Sequence, residues 1–216
     1  MNRTNVALWI NRLAVALLSA LLCSAAVTAQ VGQGLLDFNT ATEEQLAALP
    51  HFSADVAQAV QEARPFDSIT DLHAKLMENG LTADQASEVY GQAFLHINLN
   101  TGTREEILLI PGVAGRMAHE FEEYRPWKAW SQFDREIGKY VGQEETDRLK
   151  RYVFIPLNLN TATSEEFQTI PGVGRRMAHE FEEYRPWKSR QQFQREIGKY
   201  VDEKEVARLW RYVVIE

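Results

Sequence analysis

The sequence predicts an all-α protein in which a unit of four short helices occurs three times. The first observation is a repeat: residues 98–141 and 158–201 align without gaps and are identical at 33 of 44 positions. A weaker copy begins at Asp37. The second observation is that helix-capping patterns, such as Thr163 with Glu166, precede apolar residues at helical spacing. A period of about 60 residues indicates a tandem array of small modules.

The first 29 residues have the features of a secretory signal peptide. Arg3 and Arg12 give a basic start, residues 13–22 form an apolar core, and residues 27–29 (Val-Thr-Ala) fit the cleavage rule for small side chains. The alternative is an uncleaved membrane anchor, because residues 6–10 add apolar length. With cleavage we expect a periplasmic or secreted protein.

Cleavage after Ala29 would make Gln30 the first residue of the mature chain. It would also remove Cys23, which is the only cysteine. The mature chain would then have neither a disulfide nor a cysteine-ligated metal site.

The repeat divides the mature chain into unit 1 (residues 30–96), unit 2 (97–156) and unit 3 (157–216). In unit 3 the pattern predicts helices over 164–170 and 175–185, a third opened by Ser189, and a fourth opened by Asp202. Pro186 ends the second of these helices, and Trp187 is expected to enter the core.

The charge is divided unevenly among the units. Unit 1 has 2 basic against 10 acidic residues, unit 2 has 9 against 10, and unit 3 has 10 against 10. The mature chain is therefore acidic overall, which argues against a general nucleic-acid binder.

The centre of unit 3 is a glycine turn, Ile170-Pro-Gly-Val-Gly174, between two amphipathic segments. This is the pattern of a helix-hairpin-helix. Gly172 and Gly174 can take positive φ and carry no Cβ, so another molecule can approach the backbone closely. The first N–H groups of the following helix lack intrahelical partners, and the helix dipole attracts anions there. The turn is therefore a candidate phosphate cradle, flanked by Arg175 and Arg176. The alternative is a tight corner between helices with solvated arginines.

The same turn is less complete in the other two units. Unit 2 has Pro111-Gly-Val-Ala-Gly115, and unit 1 has Pro50-His-Phe-Ser53. The turn thus degrades in the same order as the basic charge falls. This order favours one end of the chain that faces an anion and another end with a different role.

These residues resemble the ComEA-type competence proteins, which are secreted bacterial proteins that bind double-stranded DNA during uptake. The resemblance rests on Asn-x-Asn-Thr-Ala-Thr at 158–163, on the glycine turn, and on the Tyr-Arg helix end followed by an aromatic residue. It implies three tandem paired helix-hairpin-helix (SAM/HhH-like) modules. The implied DNA contacts are Gly172, Val173, Gly174, Arg175 and Arg176, together with Gly112, Val113, Ala114, Gly115 and Arg116.

Other patterns have simpler interpretations. His119 with Glu123, and His179 with Glu183, are compatible with zinc, but no further ligands recur nearby, so surface hydrogen bonds are expected. Tyr140 and Tyr200 lie at repeated apolar positions and are expected in the core, together with the tryptophans at 127, 187 and 210. The acidic run at 180, 182 and 183 is expected to be a solvated face. Arg148 and Arg208 could line the hairpin side or only favour a helix C-terminus.

The expected function is sequence-independent binding of double-stranded DNA through backbone phosphates, in units 2 and 3. The alternative is a non-enzymatic interaction or structural module of the cell envelope, with envelope proteins as partners. No catalytic set is recognisable, and neither a cofactor, a metal nor a small-molecule substrate is expected. Contact with a membrane is expected only through an uncleaved signal anchor.

Overall fold

The computed structural model describes residues 31–216, and the predicted signal peptide lies outside the described residues. These residues form eleven α-helices and six β-strands of two residues each. The prediction of a mostly helical chain is therefore confirmed. No helix within residues 31–216 is both long enough and apolar enough to cross a membrane.

The elements follow one order in each unit: a strand, the helices and a closing strand. Unit 1 contains β1 (Leu36–Asp37), α1 (Glu43–Ala47), α2 (Ala54–Glu62), α3 (Ile69–Glu78), α4 (Ala83–Tyr90) and β2 (Ala93–Phe94). Unit 2 contains β3 (Ile97–Asn98), α5 (Arg104–Leu108), α6 (Gly115–Glu123), α7 (Trp130–Lys150) and β4 (Val153–Phe154). Unit 3 contains β5 (Leu157–Asn158), α8 (Ser164–Phe167), α9 (Arg175–Glu183), α10 (Arg190–Ile197), α11 (Glu203–Trp210) and β6 (Val213–Val214).

Side-chain caps begin most of these short helices. Thr163 Oγ1 accepts from the N–H of Glu166 at 3.2 Å, and the Glu166 carboxylate accepts from the N–H of Thr163 at 2.7 Å. The same reciprocal cap opens α1, α4 and α5. Such caps satisfy N–H groups that a helix leaves unpaired. They explain how helices of four or five residues begin where the sequence predicts.

The strands pair within each unit and were not predicted. The first strand of each unit runs parallel to the last, in the pairs β1–β2, β3–β4 and β5–β6. Only two residues separate the last strand of one unit from the first strand of the next. Each pair closes its unit by joining its two ends.

In unit 2 the third and fourth predicted helices follow one another directly, across a kink, as the two parts of α7. Gly142 interrupts α7 with φ 77° and ψ 173°, which is not a helical conformation. Positive φ is accessible to glycine at little cost, so the chain bends there without a loop. Unit 3 has Asp202 at this place, as the cap of a separate α11.

The aromatic residue after each Arg-Pro pair anchors the second helix to the start of the unit. Trp187 is 2% exposed and donates from its indole N–H to Phe181 O at 2.7 Å. Its backbone exchanges two hydrogen bonds with the Asn160 side chain. The Arg185 guanidinium donates to Leu159 O and Ala162 O, so Arg185 is a structural residue. Trp127 and Phe66 are held by Asn100 and Asn39 in the same way.

Two apolar clusters form the core. One is continuous through units 1 and 2, and the other belongs to unit 3 and also includes Val31 and Phe154. Val31 is fully buried and forms a bridge with Phe154, and the N–H of Gly32 donates to Val153 O at 3.1 Å. Residues 31–34, named the N-terminal strap here, therefore pack where unit 2 meets unit 3.

Candidate nucleic-acid interface

The turns of units 2 and 3 have the same backbone conformation. Gly112 has φ 80° and Gly172 has φ 78°, and each turn is closed by an N–H···O bond of 3.0 Å from the following valine. Only this first glycine is left-handed. Gly174 (φ −93°) and Ala114 (φ −116°) are extended, and each stands at the N-cap of the next helix. Gly174 therefore does not use the positive φ that was open to it, and unit 2 keeps the same turn with Ala114 at this position.

The predicted contact residues of unit 3 lie at the surface, with one exception. Gly172, Gly174, Arg175 and Arg176 are exposed, but the Val173 side chain is 7% exposed and belongs to the core of unit 3. In unit 2, Gly112, Ala114, Gly115 and Arg116 are exposed, and Val113 is half-buried. A ligand would therefore meet backbone atoms of the turn and the arginine side chains, and not the valine side chains.

Helices α6 and α9 begin without a side-chain cap. Neither Ala114 nor Gly174 offers an acceptor to the first N–H groups of its helix. In unit 1, by contrast, Ser53 Oγ accepts from the N–H of Val56 at 3.2 Å. The second helical residue also differs: it is Asp55 in unit 1 but Arg116 and Arg176 in units 2 and 3. Unit 1 thus supplies its own acceptor and its own acid, whereas units 2 and 3 present N–H groups and cations.

Unit 2 contains a contact that the sequence analysis missed. Arg104 Nη2 donates to Gly115 O at 2.7 Å, and Arg104 Nη1 lies 2.8 Å from Glu122 Oε2. Unit 3 has Ser164 in place of Arg104 and Arg175 in place of Gly115. Both units therefore bring a second arginine to the turn, but from different helices. The sign of this contact in the sequence is that these two positions change together between units 2 and 3.

The fourth-helix arginines lie on the hairpin side, which answers the question left open by the sequence. A Cβ placed on Gly112 would lie 3.5 Å from Arg148 Nη2, and one on Gly172 would lie 3.2 Å from Arg208 Nη2. Each guanidinium donates twice, at 2.7 Å, to a glutamate three residues earlier.

Unit 1 reverses this arrangement at the same place. His51 takes the left-handed position of the turn with φ 64°, and its Nε2 lies 2.7 Å from Glu88 Oε2. An acid therefore replaces the fourth-helix arginine in unit 1.

The turn of unit 3 lies beside unit 1. A Cβ on Gly172 would lie 3.1 Å from Thr40 Cγ2, although Gly172 itself remains exposed. Arg208 is only 3% exposed, whereas the Arg148 side chain is 30% exposed. Unit 1 thus restricts the space through which a ligand could approach one edge of the unit 3 turn.

Buried polar groups hold unit 1 against unit 3. Asp37 Oδ2 lies 3.6 Å from His96 Nδ1 and accepts from the Tyr212 hydroxyl at 3.4 Å, while Arg211 Nη2 donates to His96 O at 3.3 Å. Burial raises the pKa of the Asp37 carboxyl. His96 and the positive charges of Arg208 and Arg211 together lower that pKa by a larger amount, so it lies below its ordinary value. This group of residues is named the 1–3 junction.

Two predictions about other residues were wrong. Tyr140 and Tyr200 are 39% and 38% exposed, so they are not core residues. Glu180 and its counterpart Glu120 are only 7% exposed, so the acidic run is not wholly solvated. Tyr200 lies three residues beyond the end of α10, and Tyr140 lies inside α7 just before its interruption at Gly142.

The remaining patterns follow the simpler interpretation where they were tested. His119 Nε2 lies 2.9 Å from Glu123 Oε2, and His179 Nε2 lies 3.3 Å from Glu183 Oε2, both as exposed pairs one helical turn apart. Trp127 is buried with Trp187, as predicted. Trp210 is half-buried, and the Arg190 guanidinium lies 5.5 Å from its ring centroid.

Comparisons with protein-family models, with curated proteins and with solved structures found no match for this chain. Its function therefore has to be inferred from the residues themselves.

Proposed function

We propose that this chain is an exported protein of tandem helix-hairpin-helix modules that binds double-stranded DNA without sequence preference. Units 2 and 3 would hold backbone phosphates at the start of α6 and α9. Unit 1 would contribute no phosphate contact. The resemblance to ComEA-type proteins implies that such binding would serve DNA uptake at the cell envelope.

The observation that carries the proposal is the contrast at the start of the second helix. Unpaired helical N–H groups and the positive end of the helix dipole attract a phosphate oxygen. Arg175, Arg176 and Arg116 place cations where that dipole is unfavourable to them, while Arg104 adds a cation that already pairs with Glu122. An incoming phosphate would remove this repulsion, whereas in unit 1 Ser53 and Asp55 already fulfil the role of the anion.

Backbone contacts of this kind fix a protein on the duplex without reading its bases. We therefore expect similar affinity for duplexes of unrelated sequence. Each phosphate neutralised contributes about 0.9 to the slope of log K against log salt concentration. Four arginines at two turns predict a slope of roughly −2 to −4, which means modest affinity that falls with salt.

The test is a salt titration of binding by the mature chain to a fluorescently labelled duplex. Arg175→Glu with Arg176→Glu should weaken binding by at least about tenfold, because two phosphate-facing cations become anions. The matched control is Lys188→Glu with Lys204→Glu, which makes the same charge change at two exposed lysines of unit 3 away from its turn. The control should retain most of the affinity.

The second candidate function is a non-enzymatic interaction or structural module of the envelope. The close approach of Thr40 to Gly172 and the burial of Arg208 favour it, because unit 1 restricts access to one edge of that turn. If the wild-type chain shows no salt-sensitive duplex binding at low ionic strength, this second function is the better account.

A further inference from the structure

The N-terminal strap pairs with the outer edge of β4 in unit 2. Val31 faces Phe154 in an antiparallel bridge, and the N–H of Gly32 donates to Val153 O at 3.1 Å. The C=O groups of Tyr152 and Phe154 accept from β3 and the residue after it. Since the backbone groups of alternate residues point to opposite edges of a strand, the strap lies on the edge that β3 leaves free.

The end of the fourth helix in unit 2 also holds the strap. Arg151 Nη2 donates to Gly34 O at 2.6 Å. A Cβ on Gly32 would clash with the backbone of Lys150 and Arg151, so glycine is required there. Beneath the strap, residues 153–155 are at most 4% exposed. Unit 2 thus shows what this strand edge accepts, which is an extended segment with an apolar residue before a glycine.

The equivalent edge of unit 3 is uncovered in the part of the chain that the structure describes. Tyr212 O and Val214 O accept from β5 and the residue after it, so the C=O of Val213 is directed away from β5. No backbone N–H among residues 31–216 donates to Val213 O. Val214 and Ile215 are half-buried, whereas their counterparts in unit 2 are buried.

A groove of about 1310 Å³ lies along this free edge, between units 2 and 3. Its lining includes Trp210, Arg211, Val213 and Val214, which are the repeat equivalents of the four residues that contact the strap in unit 2. The groove is therefore the place that a strap would occupy on unit 3. Its volume exceeds the roughly 300–1000 Å³ of a small-molecule pocket, which suits an extended peptide.

The lining of the groove has an excess of positive charge, although the mature chain is acidic. Two acids, Glu166 and Glu216, face four cations, which are Lys128, Lys188, Arg190 and Arg211. The Arg190 guanidinium also lies 5.5 Å from the ring centroid of Trp210. Complementary charge therefore favours a peptide with acidic side chains.

We infer that the groove binds an extended acidic segment of another protein, which adds to the free edge of β6 as the strap adds to β4. Backbone hydrogen bonds along the strand edge would supply affinity, and the position of each side chain would supply specificity. A glycine would lie against the end of α11, and the apolar residue before it would face Val214. This surface lies apart from the two turns, so its role does not depend on the proposed DNA binding.

The probe is a fluorescently labelled, acetylated peptide with the sequence of residues 31–37. Anisotropy should show saturable binding to the mature chain. A Gly32→Ala peptide should bind at least about tenfold more weakly, because its Cβ would meet the backbone of residues 210 and 211. The matched control is a Gln33→Ala peptide, which changes an exposed residue of the strap and should keep the affinity. No saturable binding, or equal binding of the Gly32→Ala peptide, would overturn the inference.

Variants of the protein locate the binding to unit 3. Ile215→Pro removes an N–H that faces the free edge in antiparallel pairing and leaves the bonds between β5 and β6 intact. Peptide affinity should fall several-fold while the thermal midpoint is kept, since proline is tolerated on an edge strand. An unchanged affinity would place the peptide elsewhere and overturn the inference.

Charge reversal tests the preference for an acidic peptide. Lys188→Glu with Arg190→Glu should weaken peptide binding by about tenfold at low salt, because both cations line the groove. The matched control is Arg195→Glu with Lys199→Glu, which reverses two exposed cations of unit 3 outside the groove. Equal losses in the two pairs of variants would contradict the preference.

Two further measurements identify other occupants. If Lys188→Glu with Arg190→Glu weakens binding of duplex DNA but not of the peptide, the groove belongs to DNA. If light scattering shows a dimer that the peptide dissociates, the occupant is a second copy of this chain. Either result would overturn the inference. Binding of the peptide but not of duplex DNA by the wild-type chain would instead overturn only the proposed function.

Discussion

Unit 1 and unit 3 have the same helices but begin their second helix in opposite ways. Helices α2 and α9 both contain nine residues and both follow a turn with one left-handed residue. In unit 1, Ser53 caps the helix, and His51 pairs with Glu88. In unit 3, nothing caps the helix, two arginines follow, and Arg208 lies where unit 1 has Glu88.

This difference separates what the fold requires from what it does not. All three units have a left-handed residue in the turn, at His51, Gly112 and Gly172. In all three, an asparagine side chain also accepts from the backbone N–H of the buried aromatic residue that follows the Arg-Pro pair. An uncapped helix start with nearby arginines is absent from unit 1, so the fold does not depend on it. Substitutions that exchange residues between the units can therefore test the proposed DNA binding separately from the stability of the fold.

The largest effect is expected for Asp37→Asn. This change introduces the residue that units 2 and 3 have at the equivalent positions, Asn98 and Asn158. The amide can keep the hydrogen bond to the second following N–H, as Asn158 does at 2.9 Å. It removes the charge that faces His96, Arg208 and Arg211, and breaking a buried charge pair costs about 3–5 kcal/mol. Urea denaturation should show this loss. Asp67→Asn, an exposed acid of the same unit, should change stability by less than about 0.5 kcal/mol.

A smaller loss is expected for Trp187→Phe, which introduces the residue type that unit 1 has at position 66. The change removes the indole N–H that donates to Phe181 O, a carbonyl in the last turn of α9, and leaves part of the ring volume empty. We expect a loss of about 2 kcal/mol, seen as a fall in the thermal midpoint of several degrees. An unchanged midpoint would mean that the aromatic anchors of the units are equivalent.

The cap exchange Ala114→Ser with Gly174→Ser should separate stability from binding. Both positions are extended, and a Cβ at Gly174 would meet no atom within 4 Å, so serine fits there. The new caps should add about 1 kcal/mol in total. They should also weaken DNA binding, because the serine hydroxyls occupy the N–H groups. Increased stability with unchanged affinity would contradict the proposed phosphate contact.

The last prediction concerns how the contribution of Asp37 at the 1–3 junction depends on pH. The pKa of Asp37 is lowered in the folded state, so its stabilisation is present above the unfolded pKa of about 3.9 and is lost as pH falls through the lower folded value. The unfolding free energies of wild type and Asp37→Asn should therefore converge below about pH 4. Comparing the two proteins cancels the titration of the other carboxylates. A difference that stays constant to pH 2 would contradict this assignment.

The features that could be predicted from the sequence are those encoded locally. Thr163 with Glu166, the left-handed Gly172 and the buried Trp187 each depend on residues close in the chain or on a single side chain. The paired strands could not be predicted, because two residues are too few for a visible alternation of polar and apolar side chains. The exposed Tyr200 and the buried Glu180 were placed wrongly, since neither a repeated apolar position nor a run of charges reveals which neighbour covers a residue.

The 1–3 junction had no local signal at all. Asp37 and Tyr212 lie 175 positions apart in the chain, and the asparagines at the repeat-equivalent positions in units 2 and 3 have no such charge to bury. At the candidate interface, the turn residues and Arg175 were recognised from their pattern. Arg104 was not, because it reaches Gly115 from another helix.

The N-terminal strap would set a narrow limit on where the predicted signal peptide can be cleaved. Val31 is fully buried, and a side chain at Gly32 would clash with the backbone of Lys150 and Arg151. Cleavage after Ala29 would leave a single residue ahead of this buried valine. Cleavage two residues later would remove Val31, a core side chain at the boundary between units 2 and 3. If the predicted signal peptide is cleaved, the position of the cut would therefore decide whether this boundary packs completely.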